Sequence, residues 1–248
     1  MVPNEDWLFD RFTALATRSG RVLTALDFGC GNGRIITRSI EAGIGEFQGA
    51  DTYYGDGEIF ARDGETVPPA TRERIKLLMP GDALPFDDDT FDFVCSNQVF
   101  EHVVDLRGTI AELARVTRPG GVHVHLFPTL ELVKEAHLGV PLIHRLPAGK
   151  RAAWARLFYS RAYYAKETAS FEEWWQEMGT FLAEKTFYRP RAEYDAAFGR
   201  HFHVTHVEHQ KLEYHLGRSR LRPIRALPRL VPTRLELMRV GTAVHLRA

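Results

Sequence analysis

An apolar run that ends in three alternate glycines and passes straight into a helical pattern leaves few folds open. Val22 to Phe28 reads as a buried strand, Gly29-Cys30-Gly31-Asn32-Gly33 as a turn, and Ile35, Ile36 and Ile40 as the inward face of the next helix. Glycine at a strand-to-helix turn lets a ligand approach the backbone closely, because no Cβ stands in the way. The helix start beyond it offers backbone N–H groups and a partial positive charge, which suit a carboxylate or phosphate. A ligand with a nucleoside-like body fits such a turn.

Spacing narrows the ligand. A dinucleotide fingerprint is G-x-G-x-x-G, with the third glycine packing helix against strand. Here the pattern is Gly29-x-Gly31-x-Gly33, and Arg34 stands where that third glycine falls. Downstream, Phe47-Gln48-Gly49-Ala50-Asp51 reads as a second strand ending in an acid, an arrangement that accepts hydrogen bonds from ribose hydroxyls. Ile75-Lys76-Leu77-Leu78 leads into Gly81-Asp82-Ala83 as a third strand ending in an acid. Phe91 to Asn97 gives a fourth strand and Val122 to Phe127 a fifth.

With these pieces in order, the chain resembles the class I S-adenosylmethionine-dependent methyltransferases. It is most similar to the branch holding the ubiquinone and menaquinone methyltransferases and many small-molecule O-methyltransferases. The resemblance rests on Leu26-Asp27-Phe28-Gly29-Cys30-Gly31-Asn32-Gly33, Gly49-Ala50-Asp51, Gly81-Asp82-Ala83-Leu84-Pro85-Phe86 and Thr90-Phe91-Asp92-Phe93-Val94. Glu101-His102-Val103 and Leu113 to Gly121 complete it, so it covers residues 22 to 127 well and the remainder poorly. It implies an α/β, three-layer Rossmann-like fold. The sheet would be mostly parallel and seven-stranded, with an antiparallel last strand and a helical insertion after strand five. S-adenosyl-L-methionine is the implied cofactor. Asp27 and the loop of Gly29, Cys30, Gly31 and Gly33 would hold its methionine part, and Asp51 with Thr52 its ribose. Asp82 and the Ala83 N–H would read the adenine edge, with Asn97 beside the same crevice.

Composition fits one soluble domain over residues 1–248. At 248 residues and 44% hydrophobic content, the chain can bury a substantial core. No apolar run approaches the ~20 residues that span a bilayer, and the first residues lack a secretory layout; the expected location is cytoplasmic. The two cysteines, Cys30 and Cys95, read as reduced small hydrophobes at the ends of neighbouring strands. A formal net charge of zero argues against nucleic acid held by the whole surface.

Along the chain, residues 1–21 hold an amphipathic helix (Trp7, Leu8, Phe12, Leu15) expected to cover the cofactor cleft or the sheet edge. Residues 129–188 break the strand–helix alternation. They are helical and aromatic-rich, and read as a substrate lid inserted after strand five. Pro190 to Phe198 reads as a helix begun by proline, and Val204 to Leu216 with Leu237 to Leu246 as an antiparallel strand pair.

Methyl transfer needs little protein chemistry at the methyl carbon, since aligning acceptor, methyl and sulfur supplies much of the rate. A carboxylate or thiolate acceptor needs no base, whereas an alcohol must lose a proton. Candidate catalytic groups are His137, oriented by Glu135 two residues before it, and His125 near the productive end of strand five. The alternative for Glu135 and His137 is a polar helix end. His102 reads as structural and His123 as a core histidine.

No metal ligands are assigned. Asp87-Asp88-Asp89 reads as a solvated turn, and His201, His203, His206 and His209 as solvated strand positions with His203 and His209 on one face. The basic, apolar stretch Arg218 to Arg234 suits an anionic membrane or a phosphorylated substrate, or else a surface crossover. Three activities stay open. They are methyl transfer to an oxygen of a small molecule or glycan, methyl transfer to nucleic acid, and non-enzymatic cofactor binding. Ser96-Asn97-Gln98-Val99 lacks the Asn/Asp-Pro-Pro-aromatic signature of enzymes acting on exocyclic base amines, which disfavours the second.

Overall fold

In a computed structural model of the chain, residues 3–52, 67–79, 81–217 and 242–247 are described. The first strand, β1 (Thr24–Phe28), has Ala25, Leu26 and Asp27 buried on both of its faces. A strand covered on both sides needs an unbroken apolar run rather than alternation, which is how the sequence reads there. β1 pairs in parallel with β2 (Glu46–Thr52) on one side and β4 (Phe91–Asn97) on the other. β3 (Ile75–Leu78) extends the sheet beyond β2, and β5 (Thr117–Phe127) extends it beyond β4, both parallel. β7 (Thr242–Arg247) lies antiparallel between β5 and β6 (His203–His206), so the strand order is β3-β2-β1-β4-β5-β7-β6. The chain leaves β1 outward to β2 and β3 and returns to β4. The carboxyl ends of β1 and β4 therefore flank the switch in strand order, where such sheets bind ligands.

Helices cover both faces. On one, α1 (Pro3–Ser19) and α2 (Arg34–Ala42) bury Trp7, Leu8, Phe12 and Ile36 against Phe47, Phe93 and Val124. The Phe12 ring lies 4.6 Å from Phe47 and 5.4 Å from Phe93, centroid to centroid. Burying such a side chain contributes about 2–3 kcal/mol, and α1 places several on the sheet. The expected amphipathic helix is therefore present. On the other face, α4 (Leu106–Arg115) and α7 (Arg191–Phe198) bury Ile110, Leu113, Tyr194 and Phe198 against Val94 and Phe127. Asp105 caps α4 by accepting from the Gly108 N–H at 3.0 Å. Pro190 precedes α7, as the sequence suggests.

Two sequence expectations change. The fifth strand begins at Thr117 rather than Val122, taking in Pro119 and both glycines with a register shift opposite Phe91 and Phe93. The stretch from Val204 to Leu216 is not one strand: β6 stops at His206, and α8 (Glu208–Gly217) follows. The Gln210 and Lys211 N–H groups donate to Val207 O, and acidic Glu208 sits in the first helical turn. His209 thus lies on a helix and shares no strand face with exposed His203. Only the 242–246 part of the expected partner strand, and none of Arg218 to Arg234, lies within the described residues.

Residues 129–188 are largely helical, with α5 (Ala148–Phe158), α6 (Phe171–Glu184) and single turns at Ile143–Arg145 and Tyr159–Arg161. They have their own core, in which Leu138, Val140, Ile143, Phe171, Trp174, Met178 and Leu182 pack together. A short α3 (Pro69–Arg72) precedes β3.

Candidate active site

The glycine turn is stitched to the end of β2. The Gly29 N–H donates to Ala50 O at 2.8 Å, and the Gly31 N–H to Asp51 Oδ2 at 2.6 Å. The other Asp51 oxygen accepts from the Thr52 N–H at 2.7 Å. Two glycines are required for different reasons. Gly29 has φ +73°, and a Cβ there would lie 2.2 Å from a Val99 methyl. Gly31 has φ +52° with nothing within 4 Å of a Cβ, so its substitution would fill open space rather than clash. Gly33 closes the turn as the N-cap of α2.

That open space is a cleft of 180 Å³, bordered by Asp27, Gly29, Cys30, Gly31 and Asn97 of the expected cofactor residues. Glu5, Asn32, Arg34 and Ile35 border it as well. Glu5 was not assigned from sequence, because only tertiary docking brings α1 to the crevice. Next to it, the Asn4 amide donates to Asn97 Oδ1 at 2.9 Å. Asp82 and Ala83 are exposed and do not border this cleft. The Asp82 carboxylate accepts from the Met79 N–H at 2.9 Å, closing the turn after β3.

Electrostatics in the cleft favour a cation. Burial, then the charges of Glu5 and Asp51, push the Asp27 carboxyl up to about 8. A buried acid beside two others gains most from a positively charged neighbour. S-adenosylmethionine carries a sulfonium and an ammonium, and its carboxylate can face Arg34 at the start of α2. The glycine turn, the acids and the arginine therefore fit that cofactor. Cys30 and Cys95 are free thiols, and burial raises both.

His125 belongs to the core, which corrects its place among the catalytic candidates. It is fully buried between Phe100 and Phe198, with ring centroids at 4.9 and 5.6 Å. A chain of hydrogen bonds assigns its tautomer. Thr117 Oγ1 donates to Leu113 O, so it accepts from His123 Nε2. His123 Nδ1 then accepts from His125 Nε2 at 3.1 Å, and His125 Nδ1 from the Ser96 hydroxyl at 2.8 Å. Burial drops the His125 imidazole to about 3. A neutral ring with both nitrogens engaged has no lone pair to offer an acceptor.

Glu135 and His137 do come together, at the opening of the insertion. Fully buried Glu135 accepts from His137 Nδ1 at 2.8 Å and the Tyr188 hydroxyl at 2.5 Å on Oε1. Its Oε2 accepts from the His137 and Leu138 N–H groups at 3.0 and 2.5 Å. Burial pushes this carboxyl up, but the donors from His137, Tyr188 and Leu138 outweigh it and hold it below its ordinary value. With Nδ1–H fixed on Glu135, a neutral His137 carries its lone pair on Nε2.

The His137 ring packs 5.1 Å from His102 and 5.1 Å from Phe181. His102 Nδ1 donates to Lys185 O at 2.5 Å, and the Phe187 N–H donates to Glu101 O at 2.6 Å. The insertion is thereby docked on the turn that follows β4, a few residues beyond cleft-lining Asn97. Most of the insertion's aromatic residues, Trp174 and Phe171 among them, pack into its own core. His144 is buried and packs at a tilt against the Tyr188 ring, centroids 4.8 Å apart. His206 pairs with Asp195 and Glu208, while Asp87, Asp88 and Asp89 form a turn whose Asp88 pairs with Arg115.

Comparison with known proteins agrees with this architecture. A family model described as a methyltransferase domain matches residues 26–125. A methyltransferase from Mycolicibacterium vanbaalenii is 33% identical over 180 residues, covering 68% of this chain and 67% of the relative. A demethylmenaquinone methyltransferase from Shouchella clausii is 32% identical over 139 residues, covering 54% of this chain and 57% of its own. The crystal structure of an S-adenosylmethionine-dependent methyltransferase from Mesorhizobium loti superposes with TM-score 0.54 at 20% identity, covering 96% of this chain and 98% of that one. The chain belongs to the class I S-adenosylmethionine-dependent methyltransferases. It is a transferase, and its cofactor is S-adenosylmethionine. Among the described residues, no helix is long and apolar enough to cross a membrane.

Proposed function

We propose that this protein transfers a methyl group to an oxygen of a small organic molecule or glycan, with residues 129–188 as the lid over the acceptor. The proposal takes the chain as one cytoplasmic domain on a seven-stranded sheet closed by an antiparallel last strand. Bound S-adenosylmethionine supplies an electrophilic methyl carbon. Asp27, Gly29, Cys30, Gly31, Gly33 and Asn97 hold its methionine end, Asp51 and Thr52 its ribose, and Asp82 and Ala83 its adenine edge. The chain's remaining task is to present the acceptor in line and accept its proton.

The Glu135–His137 pair supports this reading most directly. Glu135, saturated by four donors, acts as a positioning residue: it fixes the tautomer that leaves a basic nitrogen at the mouth of the lid. That nitrogen takes the acceptor's proton. A small-molecule acceptor is further supported by the name of the Shouchella clausii relative. Arg218 to Arg234, outside the described residues, enters the proposal by composition alone, as peripheral membrane contact or a hold on a phosphorylated acceptor.

The test is His137→Ala, assayed by S-adenosylhomocysteine release against a panel of phenolic, quinol and sugar hydroxyls. Turnover on the best acceptor should fall by roughly 10²–10⁴ while calorimetric affinity for S-adenosylhomocysteine stays unchanged. Equal loss of both overturns the base assignment. Activity that requires added nucleic acid overturns the acceptor class.

A further inference from the structure

Glu101 is the least satisfied polar group near the lid. Its side chain is fully buried, and neither carboxylate oxygen has a hydrogen-bond partner. Burying a carboxyl without a donor costs several kcal/mol unless something positive meets it. Two imidazoles stand beside it, and neither carboxylate oxygen accepts a hydrogen bond from them. One ligand atom from each of Glu101, His102 and His137 lies within 4.8 Å of the others, the sole such triplet among the described residues.

The surroundings of the two rings match those of metal ligands. A ligating histidine hands its second N–H to a carboxylate or a backbone carbonyl, which fixes the ring and puts the lone pair on the other nitrogen. His102 Nδ1 donates to Lys185 O, and a carbonyl can only accept, so its lone pair is on Nε2. His137 Nδ1 donates to Glu135, with the same result. Both supporting acceptors belong to the insertion, whereas Glu101 and His102 belong to the turn after β4. Phe181 flanks both imidazoles, at 5.9 and 5.1 Å, and keeps one side apolar.

We propose that Glu101, His102 and His137 bind a divalent transition-metal ion of the zinc class, bridging the turn after β4 to the insertion. Two imidazoles and a carboxylate are a ligand set that zinc takes with its fourth position left open. Tetrahedral donors at about 2.1 Å from an ion stand ~3.4 Å apart, so loading draws the three groups slightly inward. The site goes beyond the acceptor assignment and does not depend on it. One imidazole has two states: without the ion His137 takes a proton, and with it the Nε2 lone pair is committed to the metal. A hydroxyl oxygen taking the open position would lose its proton to solvent at lower cost, since the ion would stabilise the oxyanion.

The experiment titrates Co²⁺, a coloured substitute for zinc, into the full chain stripped with a chelator. The wild type should develop a visible band of tetrahedral intensity, saturating at one Co²⁺ per chain and abolished by Zn²⁺. Glu101→Gln and His102→Ala should each weaken Co²⁺ binding at least tenfold, while His203→Ala, on exposed β6, leaves the band unchanged. S-adenosylhomocysteine titration of the same variants verifies that they are folded. No Co²⁺ uptake by the wild type overturns the site, as does an unaltered band in both ligand variants. If His137→Ala keeps full turnover while the band behaves as described, the acceptor base fails and the metal site stands.

Discussion

Gly31→Ala and Gly20→Ala form a matched pair of perturbations. Both glycines sit in the left-handed region, with φ +52° and +66°, and neither would place a Cβ within 4 Å of another group. Each substitution therefore costs about 1–2 kcal/mol of backbone strain and adds no clash. For a chain of this size that is a fall in Tm of roughly 2–8 °C, and the two variants should match. They differ in place. Gly31 borders the 180 Å³ cleft, whereas Gly20 lies in the turn after α1 and borders no part of it. The Gly31 N–H donates to Asp51, and a methyl on Gly31 would project into the cleft, where it meets the bound ligand rather than any protein group. Calorimetry with S-adenosylhomocysteine should show at least tenfold weaker binding for Gly31→Ala, ~1.4 kcal/mol, and wild-type binding for Gly20→Ala. Equal affinities in the two variants, at equal loss of Tm, would refute the placement of the cofactor on this turn.

Other perturbations read different parts of the molecule. Asp27 titrates near 8 in the folded chain against an ordinary 3.8, so its stabilisation is complete below pH 4 and lost as pH rises toward 8. Asp27→Asn should flatten the fall in apoprotein stability between pH 5 and pH 8 in denaturant titrations, and weaken cofactor binding; an unchanged slope contradicts the buried acid. Asp92, at the opposite end of the sheet, accepts from Arg21, Arg118 and the Thr24 N–H, which overcome its burial and hold it at about 2. Its stabilisation is present above pH 4 and lost as pH falls through 2. Asp92→Asn should therefore cost up to about 2 kcal/mol at pH 7, with cofactor affinity intact, and chemical denaturation with ligand titration checks both. A variant as stable as the wild type at pH 7 excludes the ion-pair account.

The glycine turn was legible because its chemistry is local: strand, turn and helix lie within one short stretch of chain. The strand-then-acid pattern also placed Asp51 at the end of β2, where it accepts from the Gly31 N–H, although neither it nor Thr52 borders the cleft. Glu5 was not legible, since amphipathicity in α1 says which face docks and not where its first turn ends up. Period-two alternation placed His123 and His125 on one face correctly but carried no depth, and Phe100 and Phe198 enclose that face. The assembly of Glu101, His102 and His137 was hidden for a plainer reason. All of β5 separates its two halves, so no spacing rule joins them. Val204 to Leu216 misled because a β-like start runs into helix formers led by an acid, and the last residues of β6 look the same either way.

A crystal structure with S-adenosylhomocysteine bound tests the whole scheme at once. The sulfur should lie beside Gly29 and Gly31, with the space where a methyl would sit opening toward the His137 ring beneath the insertion. A homocysteine moiety lodged elsewhere, or a sulfur sealed off from that histidine by protein, contradicts it.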